Sequence, residues 1–233
     1  MESIITHMDI TTYKIKTPKL KRKLCIALAT DLHNYPYEEI IAAIKDRKPD
    51  IIAIPGDIAN SYTHGTDNSI GFLYACAKIT PSFYSLGNHE RRYGGILPEE
   101  VDKAGVVLLN NTHIRFEEFH IGGFPTVGNL KWLQEFSELE GFKLLLSHHP
   151  EYYNKYIKEK DIDIILSGHA HGGQVRIFGQ GLYSPGQGIF PKYTSGVHDN
   201  RLVISRGLSN SRKVPRLWNH PEMVFVEIIG IKL

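Results

Sequence analysis

The chain has 233 residues, 42% hydrophobic and 22% charged, with 27 Lys and Arg against 25 Asp and Glu: the composition of one soluble globular domain. A formal net charge of +2 supplies no whole-molecule field that demands a nucleic acid or a membrane, so any anionic partner must be recognised locally. No run approaches the roughly 18 apolar residues of a membrane span, and the opening MESIITHMDITTYKIKTPKLKRK lacks the apolar core and cleavage site of a signal peptide. The expected compartment is the cytoplasm.

In chain order, the first feature is the run KIKTPKLKRK, six cations in ten positions, read as a solvated strand face with the chemistry for peripheral contact with an anionic membrane. Apolar bursts at residues 24–29, 51–54, 83–86, 106–109, 142–146 and 162–166 are continuous rather than alternating, and predict strands buried on both faces. Helical signals lie between them. Residues 37–47 follow Pro36 and open with Glu38 and Glu39, Pro98 with Glu99 and Glu100 opens another, and residues 130–139 and 152–160 have helical content. Residues 114–127 read as strands and turns. From about residue 175 the chain is dense in Gly and Pro, and the runs 202–205 and 223–229 come later without a helix between them. The alternation predicts one α/β domain over residues 1–233 with a β-rich, glycine-rich C-terminal flank. Cys25 and Cys76 sit in apolar runs without CxxC spacing and are read as buried free thiols.

Polar residues follow the strands in a regular way. LCIALA runs into TDLH, IIAIP into GDIAN, FYSL into GNHE, KLLL into SHHP and DIIL into SGHAH. Ligand sites of α/β sheets assemble at the carboxyl ends of strands, so Asp31, His33, Asp57, Asn88, His89, His148, His149, His169 and His171 are expected along one edge. Imidazoles mixed with carboxylates suit Mn, Fe or Zn rather than an all-oxygen Mg or Ca site. Two such ions about 3.5–4 Å apart, sharing a carboxylate, clamp the attacking and leaving oxygens of a phosphoryl displacement.

The ordered series D-x-H, G-D-x-x-N, G-N-H-E, S-H-x-P and G-H-x-H over residues 31–171 resembles the calcineurin-like metallophosphoesterase superfamily. GHAHGGQVR, the late RGL and VPRLWNHPEM are similar to its bacterial YkuE-like branch of small phosphodiesterases, often membrane-anchored, although no apolar anchor precedes the basic run here. The resemblance implies a four-layer α/β/β/α sandwich, two divalent metal ions (Mn, Fe or Zn), a phosphate-ester substrate and a metal-activated hydroxide that attacks phosphorus. It places Asp31, His33 and His171 on the first metal, Asn88, His148 and His169 on the second, and Asp57 between them. His89 would be the catalytic group that steadies the transition state or protonates the leaving oxygen.

In SHHP two adjacent histidines point to opposite sides of an extended chain, and the family pattern selects His148 over His149. Asn60 is read as a turn residue, Arg206 and Arg216 are left outside the site, and Tyr183, Phe190 and Tyr193 serve either a substrate or the loop's own anchoring. His7, His64, His113, His120, His198 and His220 have no partners at ligand spacing. The same centre would also serve a phosphomonoesterase or a nuclease, and the fold a non-catalytic scaffold. The complete ligand set favours an enzyme over the scaffold, and the near-neutral charge disfavours nucleic acid.

Overall fold

The computed structural model describes residues 7–62, 65–90, 95–210 and 216–231. In chain order its first elements are strands β1 (Asp9–Thr17) and β2 (Leu24–Leu28), helix α1 (Glu38–Arg47), β3 (Ile51–Ile54), α2 (Asp67–Ala77), β4 (Ser82–Tyr84), α3 (Pro98–Ala104) and β5 (Val107–Leu108). Next come β6 (Thr112–Phe116), β7 (Phe119–Gly123), α4 (Leu130–Ser137), β8 (Phe142–Leu146), a π-helical turn (Tyr153–Ile157), β9 (Ile164–Ser167) and a 3-10 turn (His171–Gly173). The flank adds the short strands β10 (Arg176–Ile177), β11 (Gln180–Gly181), β12 (Tyr183–Ser184) and β13 (Gly188–Ile189), then β14 (Gly196–His198), β15 (Leu202–Ile204) and β16 (Glu222–Gly230).

Two six-stranded mixed sheets result, ordered β1-β16-β2-β3-β4-β5 and β14-β15-β9-β8-β7-β6. The continuous apolar strands divide their side chains between two layers because successive residues face opposite ways. Leu24, Ile26 and Leu28 of β2 and Leu144 and Leu146 of β8 fill the core between the sheets. Ala27 packs on the other side with Ile44 of α1, Phe72 of α2 and Val101 of α3, whereas Leu145 faces Leu133 and Phe136 of α4. Each fully buried Leu, Ile or Phe contributes about 1.5–3 kcal/mol of transfer free energy, so all three layers are needed to offset the entropy of ordering the chain. The expected four-layer α/β/β/α sandwich is what forms.

Two details differ from the sequence reading. Helix α2 has no counterpart among the expected helices. The segment 152–160 forms a π-turn, in which Lys158 N donates to Tyr153 O at 2.8 Å. The β-rich flank is also built into the main sheets, an arrangement that its composition does not specify: β14 and β15 extend the second sheet, and β16 lies inside the first, between β1 and β2.

The basic run lies at the sheet end away from the carboxyl end of β2, since β16 is antiparallel to β2 and parallel to β1. Three of its cations are matched by acids. Lys19 meets Asp161 at 3.1 Å and Asp163 at 2.9 Å, Arg22 meets Asp50 at 3.3 Å and also Glu117, and Lys23 meets Glu227 at 3.0 Å.

Candidate metal centre

The carboxyl ends of β2, β3, β8 and β9 and the turn after β4 converge, and they bring the sequence-predicted residues together. Asp31, His33 and His171 form one set whose potential ligand atoms lie within 4.8 Å of one another; Asp57, His148 and His169 form a second; His33, Asp57 and His89 form a third that joins them. In the first set His33 Nε2 and His171 Nε2 are 3.1 Å apart, with Asp31 Oδ1 at 3.7 and 3.4 Å. In the second, Asp57 Oδ2 is 3.1 Å from His148 Nε2. That nitrogen makes no hydrogen bond despite complete burial, and neither does the buried Asn88 Oδ1. A buried acceptor without a partner costs about 1–3 kcal/mol, so the orphaned Asn88 Oδ1 beside the His148–Asp57 pair is what a ligand lone pair would look like.

The backbone is unusual here. Asp31, His33, Asp57, His169 and His171 all have φ between 45° and 65°, the left-handed region. Asp and His adopt that region more readily than most residues, so the ligand types themselves tolerate the bends. The glycines act through close approach more than through φ. A Cβ on Gly87 would lie 2.2 Å from Asp57 Oδ1, and one on Gly168 2.2 Å from Asp31 Oδ2.

Hydrogen bonds orient each ring. His148 Nδ1 donates to the Pro55 carbonyl at 2.8 Å, which leaves Nε2, facing Asp57, as the ring position that takes either a proton or a metal. The opposite holds for His89: its Nδ1 accepts the Ser61 backbone N–H at 3.0 Å, so in the neutral ring Nε2 carries the hydrogen. His89 is therefore set up as a donor, 3.9 Å from Asp57 Oδ2, and its own backbone N–H donates to Asp57 Oδ1 at 2.8 Å. His169 N donates to both Asp31 oxygens at 3.1 and 3.2 Å.

Burial and neighbours set the charges. Burial opposes ionisation of Asp57, yet the His148 imidazole beside it holds its carboxyl well below the usual range. Burial disfavours a charged His148, but the same carboxylate overrides that and raises the ring to about 10. Burial pushes His89 down to about 4 and His171 to about 3, and carries His169 well below its ordinary value. A cation between Asp57 and His148 would take the place of that shared proton.

His149 points elsewhere. Its Nδ1 meets Glu151 Oε1 at 3.0 Å, its Nε2 meets Thr126 Oγ1 at 3.1 Å, and its ring stacks on Tyr152. With Glu151 and His169 it forms a further donor set on the outer side of the centre. Asn60 Oδ1 accepts the Tyr62 N–H at 3.0 Å, a turn role. Arg206 is held by Asp9 at 2.9 Å and Glu222 at 3.2 Å. Tyr193 is buried and bonded to Asn154, while Tyr183 and Phe190 are exposed. Among the described residues no donor set includes His7, His113, His120, His198 or His220, and His64 lies outside them.

Sequence alone gives no role in the centre to two further residues. Glu90, buried within GNHE, accepts the backbone N–H groups of Asp57 at 3.0 Å, Ala59 at 3.1 Å and Gly87 at 2.7 Å, tying two ligand-bearing turns together. Its place in the motif is the available signal. Arg216, expected outside the site, in fact touches it: its Nη2 lies 2.9 Å from His171 Nδ1, and it bonds the Ser209 carbonyl and Asn210. Burial pushes this guanidinium down to about 10. Nothing in its sequence neighbourhood points to the centre, because the fold alone brings it there from 45 residues beyond His171.

Comparison with known proteins gives the chain a family. The family described as Calcineurin-like phosphoesterase matches residues 25–173. Relatives include YkoQ of Bacillus subtilis, a metallophosphoesterase 29% identical over 89% of this chain and 84% of its own length. Phosphodiesterase YaeI of Escherichia coli is 26% identical over 82% of this chain and 74% of its own. A metallophosphoesterase of Campylobacter jejuni is 26% identical over 96% of this chain, which spans 64% of that relative's length. The chain belongs to the calcineurin-like phosphoesterase family, a family of metal-dependent hydrolases of phosphoester bonds.

Proposed function

We propose that the protein is a phosphodiesterase with a dinuclear centre of Mn, Fe or Zn, Asp31, His33 and His171 holding one ion, Asn88, His148 and His169 the other, and Asp57 shared. The carrying observation is the linkage of the donor sets: Asp57 belongs to two of them, and the buried Asn88 Oδ1 is left without a hydrogen-bond partner. When bound, the ions supply Lewis-acid polarisation of the phosphoryl oxygens and a lowered pKa for attacking water. The protein's own residues do the rest. Asp57 and Asp31 fix the positions of the donors. His89 presents Nε2–H toward the space between the sets, where as a neutral ring it would hydrogen-bond a phosphoryl oxygen and so steady the transition state. The Ser61 N–H on Nδ1 keeps that tautomer in place. The GHAHGGQVR extension and the likeness to a protein named as a phosphodiesterase support a diester substrate and the YkuE-like branch. The cytoplasm is the proposed site of action.

The test is metal analysis of the purified protein joined to hydrolysis of bis(p-nitrophenyl) phosphate and of p-nitrophenyl phosphate. Expected are two equivalents of metal per chain and faster turnover of the diester. Asp57→Asn should lower turnover by at least about 100-fold, since disturbing even an outer partner of a ligand costs 10–100-fold. Full turnover in that variant, or in chelated protein, would sink the reading; a preference for the monoester would overturn the diester part alone.

A further inference from the structure

The family match ends at residue 173, and the chain beyond it carries a surface to which the centre described above gives no role. Phe178 is fully exposed, and Trp218, Ile189 and Phe190 are each more than 70% exposed, with Tyr183 and Leu217 about half exposed. These residues come from the β10–β11 hairpin, the β12–β13 hairpin and the segment before β16, which hydrogen bonds join into one array. Arg176 N donates to Leu217 O at 3.0 Å, Leu182 N to Val175 O at 2.9 Å and Phe190 N to Leu182 O at 2.9 Å. The array borders the metal centre, for Asn219 Nδ2 donates to His171 O at 2.7 Å and Leu182 N to Gly173 O at 3.2 Å.

Neither burial nor backbone preference accounts for these aromatics. Phe178, Phe190 and Trp218 have φ of 49°, 51° and 53°, a conformation that bulky residues rarely adopt. An apolar patch of this kind marks an interaction site.

Charge identifies the occupant. Residues 174–220 contain seven Lys and Arg against one acidic residue, Asp199, where the whole chain has 27 against 25. Arg206 is spent on Asp9 and Glu222 and the Arg216 guanidinium is buried against His171, but Arg176 bonds the carbonyls of Gly172 and Gly179, and Lys192 lies over the Tyr193 ring at 5.1 Å. Their charge has no acidic partner among these contacts. Separate aromatic tips flanked by cations suit a fluid, anionic interface better than a rigid protein surface. We propose that this array is a membrane-docking surface whose Phe178, Phe190 and Trp218 tips enter the interface of a bilayer carrying anionic lipid. It replaces the N-terminal basic run, three of whose six cations are ion-paired at the far end of the sheet, as the contact with the membrane.

The test uses the full chain, metal-loaded, with sucrose-loaded vesicles of phosphatidylcholine with and without phosphatidylglycerol. The chain has two tryptophans, so Trp132→Phe leaves Trp218 as the sole reporter. Expected are co-sedimentation with the anionic vesicles, a blue shift of Trp218 emission and its quenching by brominated acyl chains. The double variant Phe178→Ser, Trp218→Ser should lose vesicle binding by at least tenfold with its melting temperature and its turnover of soluble diester unchanged. Should it fail to fold, Phe178→Ser alone, at a fully exposed tip, gives the same comparison. Unaltered Trp218 emission, or equal vesicle binding by parent and variant, overturns the proposal. Self-association of the parent in sedimentation velocity, abolished by the same substitutions, would give the surface to a second copy instead. A parent inactive on every ester would sink the phosphodiesterase reading and leave the vesicle result standing.

Discussion

Glu90 offers the sharpest test of how the fold builds its centre. Oε2 accepts from Asp57 N at 3.0 Å and Gly87 N at 2.7 Å, and Oε1 accepts from Ala59 N at 3.1 Å. Glu90→Gln keeps shape and volume. The amide oxygen can take the two-bond position, but its NH2 then faces the Ala59 N–H, donor against donor. One charge-assisted bond is lost, about 1.5–3 kcal/mol, and the other two weaken as the acceptor loses its charge, so a total near 3 kcal/mol is expected. In a domain of this size each kcal/mol moves the melting temperature by about 2–4 °C, giving a fall of about 6–12 °C. Thermal melts in chelator measure the clamp alone, and metal content after gel filtration measures its effect on the centre. Because the clamp joins the turn carrying Asp57 to the one carrying Asn88, the variant should also hold metal about 10–100-fold more weakly. A Gln variant that melts within about 1 °C of the parent and keeps its metal would refute the reasoning, since three bonds to a buried carboxylate would then contribute nothing.

Other consequences lie outside the centre. Lys143 is 1% exposed and its ammonium reaches Asp161 Oδ2 at 2.9 Å and the Leu139 carbonyl at 2.6 Å, so Asp161→Asn should cost about 1–2 kcal/mol in urea unfolding at pH 7, less than a fully buried pair because Asp161 is 68% exposed. The hydrogen bond from Lys143 holds the Asp161 carboxyl below its ordinary 3.8, so this stability is present above that pH and is lost as pH falls through the folded pKa; the gap between parent and variant should close there and nowhere higher. Leu144→Ala, in the core between the sheets, should cost about 2–5 kcal/mol, whereas Ile10→Ser, at a 62% exposed position, should stay within about 0.5 kcal/mol. Burial pushes the Cys76 thiol up, so a disulfide reagent at pH 8 should reach Cys76 only on unfolding, with the half-buried Cys25 reacting first.

The strands that carry the centre are legible because they are buried on both faces and end abruptly in Asp, Asn or His, a pattern that needs no partner sequence to be seen. Helix α2 escapes because Asp67–Ala77 presents no clean polar face: Phe72, Leu73 and Cys76 are buried, and Gly71 at its middle reads as a breaker. The structure gives that glycine a reason, since a Cβ there would lie 2.5 Å from the Tyr37 hydroxyl. Arg216 and Glu90 are hidden for different physical reasons. Glu90 acts on backbone N–H groups, which leave no mark on residue type, and Arg216 reaches His171 only through the closure of a distant loop. The solvated strand face expected of the basic N-terminal run forms, but the acids that meet it, Asp50, Glu117, Asp161 and Glu227, are hidden in the sequence because they are scattered along the chain.

The left-handed residues of the centre link its chemistry to stability. Five non-glycine residues in that region, each costing about 1 kcal/mol, store roughly 5 kcal/mol in the turns that hold the proposed ligands. Two carboxylates, Asp31 and Asp57, are also buried among imidazoles. Metal binding should offset the strain, so the metal-free protein should be the weaker form, and saturating Mn at about 1,000 times its dissociation constant should add about 4 kcal/mol, near 8–16 °C in melting temperature. Asp57→Asn separates the two contributions. Asn tolerates the same backbone conformation, so the strain remains, but the buried charge is gone. Because His148 holds the Asp57 carboxyl well below its usual range, that charge stabilises the apo fold at neutral pH, so the metal-free variant should melt below the metal-free parent, and its melting temperature should no longer rise with Mn. If the parent itself is indifferent to Mn, the strain and charge of this edge are balanced by the fold alone, and the reading of these turns as a metal cradle fails. If instead the metal-free variant melts at or above the parent, the buried charge of Asp57 is a net cost to the apo fold despite its bond with the His89 N–H and its pairing with His148, and the metal relieves that cost.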